Sequence, residues 1–255
     1  MLRHFGDAAF FRNIYDETGL KITMNKEIFL NGMTELSADI TNEQTEKFAR
    51  YSSLLVEWNK KMNLTAVTDD EGISVKHFLD SVLPIYHTDL NKCRTIADVG
   101  TGAGFPGMPL RILKDDFDLT LLDSLGKRVT WLEATLRDMG VPAQCVCARA
   151  EDYAAKAREQ YDIATSRAVA RLNILAELCL PFVKPGGYFL AMKAAAAAEE
   201  LEEAKRGIAR LGGRVEKTET YDIDGAPRCV IVIRKERPTP PAYPRRYAKI
   251  KQSPL

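Results

Sequence analysis

The glycine-rich segment that begins at Asp98 and ends at Gly107 is the part of the sequence whose residue types and spacing most clearly suggest chemistry. It follows a short apolar run at 95–99 and fits two templates. One is the G-x-G-x-x-G spacing of dinucleotide-binding loops, which is a weak signal by itself. The other is an acidic-x-G-x-G-x-G pattern, formed by Asp98, Gly100, Gly102 and Gly104. In either template, glycine lets the backbone approach a bound ligand closely.

The acidic residue at the start of this segment favours the second template. A pyrophosphate binds where backbone amides create a positive environment at a helix N-terminus, and the Asp98 carboxylate would repel it. S-adenosylmethionine contains no phosphate and carries an ammonium and a sulfonium, both of which a carboxylate favours. The pattern also resembles the first motif of methyltransferases. We therefore predict that Asp98 and its glycines bind S-adenosylmethionine rather than NAD.

Two further segments carry residues suited to a nucleoside. Asp123 ends the second apolar run, before Ser124, and its carboxylate could accept hydrogen bonds from both ribose hydroxyls. NAD and S-adenosylmethionine share this ribose, and Asp123 could instead cap the helix that follows. Ala150 and Glu151 follow the third apolar run, where this type of fold usually contacts adenine, although Glu151 alone could be a surface acid. These positions complete a predicted cofactor site.

The elements that must position these residues alternate between strand and helix. Helices are expected at 108–113, 126–139, 172–180 and 194–211, the last of them solvated. Strands are expected at 95–99, 119–123, 143–148, 161–166 and, after a turn at Pro185-Gly186-Gly187, at 188–193, with a closing pair at 214–220 and 228–234. Such a succession predicts a Rossmann-like α/β fold, with a mostly parallel sheet covered on both faces and an antiparallel C-terminal edge. Ligands then bind beyond the carboxyl ends of the strands.

The sequence divides into four parts. Residues 1–27 form an N-terminal extension, 28–90 a helical cap, 91–237 the cofactor-binding core and 238–255 a basic tail. In the cap, Ser37 and Thr41 are candidate N-caps, and a second helix is expected at 75–86. An aromatic and apolar stripe at helical spacing predicts core packing; its members are Phe48, Tyr51, Leu54, Leu55 and Trp58.

The remaining composition restricts the function classes. The 36 basic and 35 acidic residues nearly balance, which neither supports nor excludes an RNA partner. The five cysteines form no C-x-x-C pair and are expected to be buried, reduced thiols, with Cys145 and Cys147 on one face of a strand. The three histidines are scattered, so we expect no metal. No apolar stretch reaches membrane-spanning length, and a cytoplasmic monomer is expected.

Several strings of the sequence occur together, in order, in one protein family. They are residues 58–65 (WNKKMNLT), 77–81 (HFLDS), 98–110, 121–129 (LLDSLGKRV), 149–151 (RAE), 166–168 (SRA) and 243–245 (YPR). Together they resemble the RsmG family, also called glucose-inhibited division protein B, over about residues 28–255. The resemblance implies methylation of N7 of a guanine in small-subunit (16S) ribosomal RNA. It maps cofactor contacts onto Gly100, Phe105, Asp123, Ala150, Glu151 and Arg167, whereas Ala194 and Ala248 depart from the family pattern.

The implied reaction requires little from the protein. N7 of guanine has a free lone pair, so no proton has to be removed first, and catalysis is mostly alignment of the reacting atoms. The position where amino-group methyltransferases carry an N/D-P-P-Y string is Thr165-Ser166-Arg167 here. Arg167 could pair with the methionine carboxylate, the guanine O6 edge or a phosphate, or form an ordinary salt bridge. We predict catalytic roles for Arg167, Asn63 and Lys193.

Other residues are expected to shape the substrate side of the site. Asn63, His77 and Asp80 match family strings in the cap and are interpreted as part of a guanine pocket, although His77 could be a packed core histidine. An RNA-facing rim is predicted from basic residues at loop and strand ends and in the tail, whose prolines favour an extended chain. Its members are Arg128, Arg149, Lys193, Arg228, Arg245 and Arg246.

The basic tail could alternatively be solvated and disordered. Three alternative functions also remain open at this point. The chain could methylate a small molecule or a protein instead of RNA. It could be a nicotinamide oxidoreductase, which Asp98 disfavours. It could also be an RNA-binding protein with a vestigial methyltransferase fold, which the intact glycines and Asp123 disfavour. The predicted partner is small-subunit ribosomal RNA or the ribosomal subunit, without a membrane.

Overall fold

The computed structural model describes residues 21, 23–83, 93–167, 170–194 and 197–255. The helices are α1 (Lys26–Glu35), α2 (Asn42–Met62), α3 (70–82), α4 (Gly107–Leu113), α5 (Gly126–Met139), α6 (Ala150–Tyr153), α7 (Leu172–Cys179), α8 (Ala197–Arg210) and α9 (Tyr247–Gln252). Helix α3 is continuous through Asp70–Gly72, a π-helical stretch Ile73–Leu79, and Asp80–Val82. The strands are β1 (Thr95–Val99), β2 (Asp118–Asp123), β3 (Gln144–Cys147), β4 (Tyr161–Arg167), β5 (Val183–Ala194), β6 (Gly213–Ile223) and β7 (Ala226–Lys235).

The seven strands form one sheet in the order β3-β2-β1-β4-β5-β7-β6. Strands β1 to β5 pair in parallel, whereas β7 is antiparallel to both β5 and β6. This confirms the predicted Rossmann-like sheet with an antiparallel C-terminal edge. The chain winds outward from β1 to β3 and then returns to β4 on the other side of β1. The reversal of strand order therefore lies between β1 and β4, where ligands bind in such sheets.

Alternate residues along the strands enter two separate cores, one on each face of the sheet. On β1, Ile96 belongs to the core with the N-terminal helices, whereas Ala97 belongs to the core with α7 and α8. The stripe on α2 is part of the first core, as predicted, with Phe48, Tyr51 and Leu55 fully buried. The N-terminal helices thus pack on the same face of the sheet as α4 and α5.

The N-cap predictions of the helical cap had mixed outcomes. Thr41 begins α2 with a complete capping box, in which Thr41 and Gln44 each bond the other's backbone N–H. The Ser37 prediction was wrong: Ser37 follows the end of α1 in a left-handed conformation (φ 53°) and starts no helix. The second cap helix begins at Asp70 and contains the expected residues 75–82, and residues 84–86 of that prediction lie outside the described residues.

The expected turn at Pro185-Gly186-Gly187 lies inside a strand instead of before one. Strand β5 already begins at Val183, and its register with β4 shifts between the pairs Tyr161–Val183 and Ile163–Tyr188. Gly186 takes a positive φ of 90° in this irregularity. The glycines therefore produce a local bulge, because the chain returns to the same neighbouring strand after it.

The cysteine prediction was only partly right. All five cysteines are free thiols, and Cys145 and Cys147 both lie on β3 as expected. However, Cys145 is only half-buried and Cys147 is exposed, because β3 is the edge strand of the sheet. Among the described residues, no group of acidic, histidine or cysteine side chains is arranged to hold a metal ion. None of the described helices has the length and hydropathy needed to cross a membrane.

Candidate active site

Two cavities lie at the carboxyl ends of the parallel strands. The small cavity, of about 220 Å³, lies beyond β1, β2 and β3. Its wall consists of Val99, Gly100, Leu122, Asp123, Ser124, Ala148, Arg149, Ala150, Glu151, Leu175, Leu178 and Tyr247. The large cavity, of about 600 Å³, lies beyond β4 and β5. Its wall consists of Val67, Lys76, His77, Asp80, Arg167, Ala170, Arg171, Met192, Lys193, Ala194, Glu200, Tyr221 and Arg228.

The glycine loop after β1 is fixed from both sides. The N–H groups of Gly100 and Thr101 both donate to the carbonyl of Leu122 on β2, at 2.8 and 3.1 Å. On the helical face, the carbonyl of Ala103 accepts hydrogen bonds from the Tyr51 hydroxyl (2.7 Å) and the Trp131 indole (3.2 Å). Tyr51 of the cap and Trp131 of α5 thus both anchor the loop, a role that periodicity alone did not indicate.

The loop leaves open space beside its central glycine. Gly102 takes a φ of 62°, and a Cβ built on it would have no atom within 4 Å. Gly104 differs, because a Cβ there would lie 2.5 Å from the Met108 sulfur and 2.6 Å from the Tyr51 hydroxyl. Only glycine therefore fits at 104 without displacement of neighbours, whereas at 102 glycine is favoured by the positive φ and not by lack of space.

Asp98 is fully buried beneath the loop and lines neither cavity. Its Oδ2 accepts hydrogen bonds from the Thr101 hydroxyl (2.7 Å) and the Gly107 N–H (2.8 Å). Its Oδ1 has no hydrogen-bond partner among the described residues. Burial raises the pKa of Asp98 to about 6, partly offset by these two hydrogen bonds. Asp98 therefore holds the loop in place through Oδ2, whereas its buried Oδ1 accepts no hydrogen bond from the described residues.

Asp123 combines structural hydrogen bonds with a position in the small cavity. Its Oδ2 accepts from the Gly102 N–H (3.0 Å) and lies 3.2 Å from the Arg128 guanidinium, while Oδ1 accepts from the Leu125 N–H (2.9 Å). The carboxylate therefore links the glycine loop to the start of α5. Each oxygen has more than one acceptor site, so Asp123 retains capacity for a ligand.

Arg167 ends β4 and reaches across to the helical cap. Its Nη1 donates to Asp80 Oδ2 at 2.9 Å and to the carbonyls of Lys76 and His77. Its guanidinium also lies 4.8 Å from the centre of the Phe105 ring. The side chains of Arg167 and Asp80 are only 14% and 6% exposed, so this ion pair is shielded from water. Arg167 thus forms a salt bridge and also lines the large cavity.

His77 is neutral and structurally constrained. Burial, reinforced by the charge of Arg167, lowers its pKa to about 3. Its ring stacks on Phe105 with 4.5 Å between centroids, and its Nε2 lies 2.7 Å from the Thr65 hydroxyl. Because Arg167 approaches Nδ1 at 3.4 Å and can only donate, the proton belongs on Nε2. His77 is therefore held in one tautomer and lines the large cavity without carrying charge.

Two further side chains, Tyr221 and Glu200, bond predicted residues of the large cavity. The Tyr221 hydroxyl on β6 donates to Asp80 Oδ1 at 3.0 Å, so Asp80 is bonded by both Tyr221 and Arg167. Lys193 at the end of β5 pairs with Glu200 at 2.7 Å and donates to the Ala170 carbonyl. Sequence reasoning did not find Tyr221 or Glu200, because neither lies in a recognisable motif.

The predicted rim residues separate into three groups. Arg149 lines the small cavity, and Lys193 and Arg228 line the large one. Arg128 pairs with Asp123 and lines neither. The remaining pair, Arg245 and Arg246, lies in the tail.

The tail is not the extended chain expected from its prolines. It folds back on the α7 side of the sheet and ends in α9. Arg245 forms two short hydrogen bonds, of 2.6 and 2.8 Å, with Glu177, whose side chain is fully buried. Its charge is therefore engaged within the fold, whereas Arg246 is exposed at the start of α9.

Asn63 has a clear structural role at the end of α2. It takes the left-handed conformation (φ 50°, ψ 57°), and its N–H bonds the Asn59 carbonyl, which ends the helix. Its side chain is exposed and lines neither cavity. Asparagine tolerates this conformation better than most residues, which accounts for its presence at this position.

The structure thus brings together most of the predicted site. Gly100, Asp123, Ser124, Arg149, Ala150 and Glu151 share the small cavity, and His77, Asp80, Arg167, Lys193 and Arg228 share the large one. The other predicted residues lie outside both walls; they are Asn63, Asp98, Gly102, Gly104, Phe105, Arg128, Arg245 and Arg246.

Comparison with known proteins identifies the family. Residues 44–224 match the family model of GidB, described as rRNA small subunit methyltransferase G. The chain belongs to this family. It is 45% identical over 242 residues to ribosomal RNA small subunit methyltransferase G of Staphylococcus carnosus, covering 91% of this chain and 99% of the relative. It is 43% identical over 237 residues to the Bacillus subtilis protein of the same name, with the same coverage.

A solved structure supports the fold of this methyltransferase family member. It comes from work on the conversion of a disulfide bond into a thioacetal group during echinomycin biosynthesis. It superposes with a TM-score of 0.50 at 16% sequence identity and covers 61% of this chain and 81% of the other. At this identity the similarity concerns the fold alone.

Proposed function

We propose that this chain transfers a methyl group from S-adenosylmethionine to N7 of a guanine in small-subunit ribosomal RNA. The observation that carries the proposal is the position of two cavities at the carboxyl ends of the parallel strands of one sheet. The small one offers the Asp123 carboxylate, as a ribose requires, and the large one is lined by Arg167 and further cations. Membership of the family named for small-subunit rRNA methylation supports the same reaction.

The residues present fit S-adenosylmethionine. Asp123 lines the small cavity and has spare acceptor capacity for a ribose hydroxyl, and Ser124 and Glu151 add further acceptors to the same wall. We propose that Gly100, Asp123, Ser124, Ala150 and Glu151 hold its nucleoside. When bound, the cofactor supplies an electrophilic methyl group on a positively charged sulfur and becomes S-adenosylhomocysteine.

The large cavity fits a nucleotide of an RNA chain. Five cations line it, against the two carboxylates of Asp80 and Glu200; the cations are Lys76, Arg167, Arg171, Lys193 and Arg228. Four of the five are ion-paired, Lys76 with Asp224, Arg167 with Asp80, Arg171 with Glu199 and Glu203, and Lys193 with Glu200. Lysine and arginine side chains bind phosphate, and an arginine guanidinium pairs well with guanine acceptor atoms. We propose that Lys193 and Arg228 contact the RNA here, with Arg149 and Arg246 on the surrounding surface.

The chain's own residues act by holding groups in place. N7 attacks with its own lone pair, so no side chain has to take a proton, and the neutral His77 is consistent with this. Arg167 is fixed by Asp80 and by the Phe105 ring beneath it, which gives the bound guanine a preset direction of approach. In this proposal residues 28–90 form the cap that completes the pocket over the core at 91–237.

The cofactor part of the proposal is tested by Asp123→Asn. Loss of the charge and of one acceptor should weaken S-adenosylhomocysteine binding on the order of tenfold to hundredfold, measured by calorimetry. The matched control is Asp118→Asn, at the exposed start of the same strand, which should bind as wild type does. Wild-type affinity in the folded Asp123→Asn protein would exclude Asp123 as a ligand-binding residue.

A further inference from the structure

The C-terminal segment 238–255 is tied to the core at three places. Arg158 donates to the carbonyl oxygens of Thr239, Pro240 and Tyr243, which fixes the first half of the segment. The Arg245–Glu177 ion pair fixes the middle, and Glu177 also accepts the Arg245 N–H at 2.8 Å. The last residue, Leu255, packs against Gly207 on α8. The segment is therefore packed against the core along its length.

This docking places Tyr247 in the wall of the small cavity. Tyr247 is the first residue of α9, and its backbone N–H lies 3.3 Å from Oε1 of Glu151, which lines the same cavity. Arg245, two residues earlier, holds this position through its bonds to Glu177 on α7. Two other α7 residues, Leu175 and Leu178, line the cavity as well.

The wall of the small cavity has the mixed character that a purine nucleoside requires. Aliphatic side chains from β1, β2 and α7 provide one surface, and Asp123, Ser124 and Glu151 provide acceptors. Tyr247 is the aromatic residue of this wall. A flat ring beside such a cavity offers a stacking surface for a base, which is a substantial source of nucleobase affinity in proteins.

We propose that Tyr247 is a base-contacting residue of the cofactor site, and that docking of segment 238–255 and occupation of the small cavity stabilise each other. The proposal rests on the assignment of this cavity to S-adenosylmethionine. It replaces the expectation that the segment mainly binds phosphate, because Arg245 is engaged with Glu177. By thermodynamic linkage, a tail that strengthens ligand binding is itself held more firmly by the ligand.

The first test measures S-adenosylhomocysteine binding to the full chain by calorimetry. Tyr247→Ala should weaken the affinity about tenfold or more, whereas Tyr247→Phe, which keeps the ring, should stay within about twofold of wild type. Lys251→Ala is the matched control, since Lys251 is exposed on the same helix. Thermal unfolding of each ligand-free variant shows whether the fold is preserved.

The second test uses the wild-type protein and does not depend on any variant. Trypsin cuts after Arg246, Lys249 and Lys251, all of which are exposed. Saturating S-adenosylhomocysteine should slow these cuts severalfold, whereas NAD at the same concentration should leave their rate unchanged.

The outcomes separate this inference from the proposed function. If wild type does not bind S-adenosylhomocysteine, the cofactor assignment itself fails. If wild type binds it but Tyr247→Ala binds equally well and the tail is cut at the same rate, the inference is overturned and the proposed function stands. If Tyr247→Ala weakens RNA binding but not cofactor binding, the tail is an RNA-contacting segment and the inference is again wrong.

Discussion

Replacing Arg167 with lysine is expected to lower kcat for methyl transfer by about 10- to 100-fold while the protein stays folded. The guanidinium bonds Asp80 and two carbonyl oxygens of α3 and lies over Phe105, and an ammonium cannot reproduce this planar set of contacts. A lost hydrogen bond to a charged group is worth about 1.5–3 kcal/mol, which corresponds to this range of rates. Lysine keeps the positive charge beside Asp80, so the buried carboxylate is not left unpaired.

The control for this prediction is Arg171→Lys at the exposed side of the same cavity. Arg171 pairs with Glu199 and Glu203 at the surface, where such pairs contribute little. Its lysine variant should retain activity within about twofold of wild type. Single-turnover rates with saturating cofactor and RNA compare the two variants directly. Equal rates for Arg167→Lys and wild type would show that Arg167 supports the fold only.

Replacing Arg245 with alanine is expected to lower the free energy of unfolding by about 3–5 kcal/mol. The carboxylate of Glu177 is fully buried, and the variant would leave it without its cation. Breaking a buried ion pair from one side is costly because the remaining charge is uncompensated. Urea unfolding followed by circular dichroism measures this difference.

Two further variants separate charge burial from other effects of the substitution. The double variant Arg245→Met, Glu177→Gln removes both charges and should be clearly more stable than Arg245→Ala, because no buried charge is left unpaired. The glutamine side-chain oxygen can still accept the hydrogen bond from the backbone N–H of residue 245. Arg246→Ala, at the neighbouring exposed position, should change the unfolding free energy by less than about 0.5 kcal/mol. Similar losses for Arg245→Ala and Arg246→Ala would contradict the role assigned to Glu177.

The bounds of individual strands and helices could be predicted from the sequence where short patterns of neighbouring residues specify them. Thr95–Val99 and Gly126–Met139 were predicted at their observed bounds, since an apolar run before glycines and a helical period ending at Gly140 are short-range patterns. Asp123 was likewise placed correctly, because the end of a parallel strand faces the ligand side of the sheet. These features depend on a few neighbouring residues.

Some features that the sequence did not reveal depend on partners that are distant along the chain. Arg167 meets Asp80 across 87 positions, and Arg245 meets Glu177 across 68, so composition alone could not reveal either ion pair. The prolines of the tail therefore predicted an extended chain, whereas the tail folds back on the α7 side of the sheet. Asp98 is different, because its Oδ2 accepts hydrogen bonds from the nearby Thr101 hydroxyl and Gly107 N–H, and its role toward the cofactor stays a prediction. Only the folded chain shows which groups remain available.

The central claim is tested most directly by locating the transferred methyl group. Small ribosomal subunits from cells that lack this gene are incubated with the purified protein and isotopically labelled S-adenosylmethionine, and the RNA is then digested and analysed by mass spectrometry. The account predicts one new N7-methylguanine in the small-subunit RNA. Label at another atom or in another molecule, or no transfer by protein that binds S-adenosylhomocysteine, would contradict it.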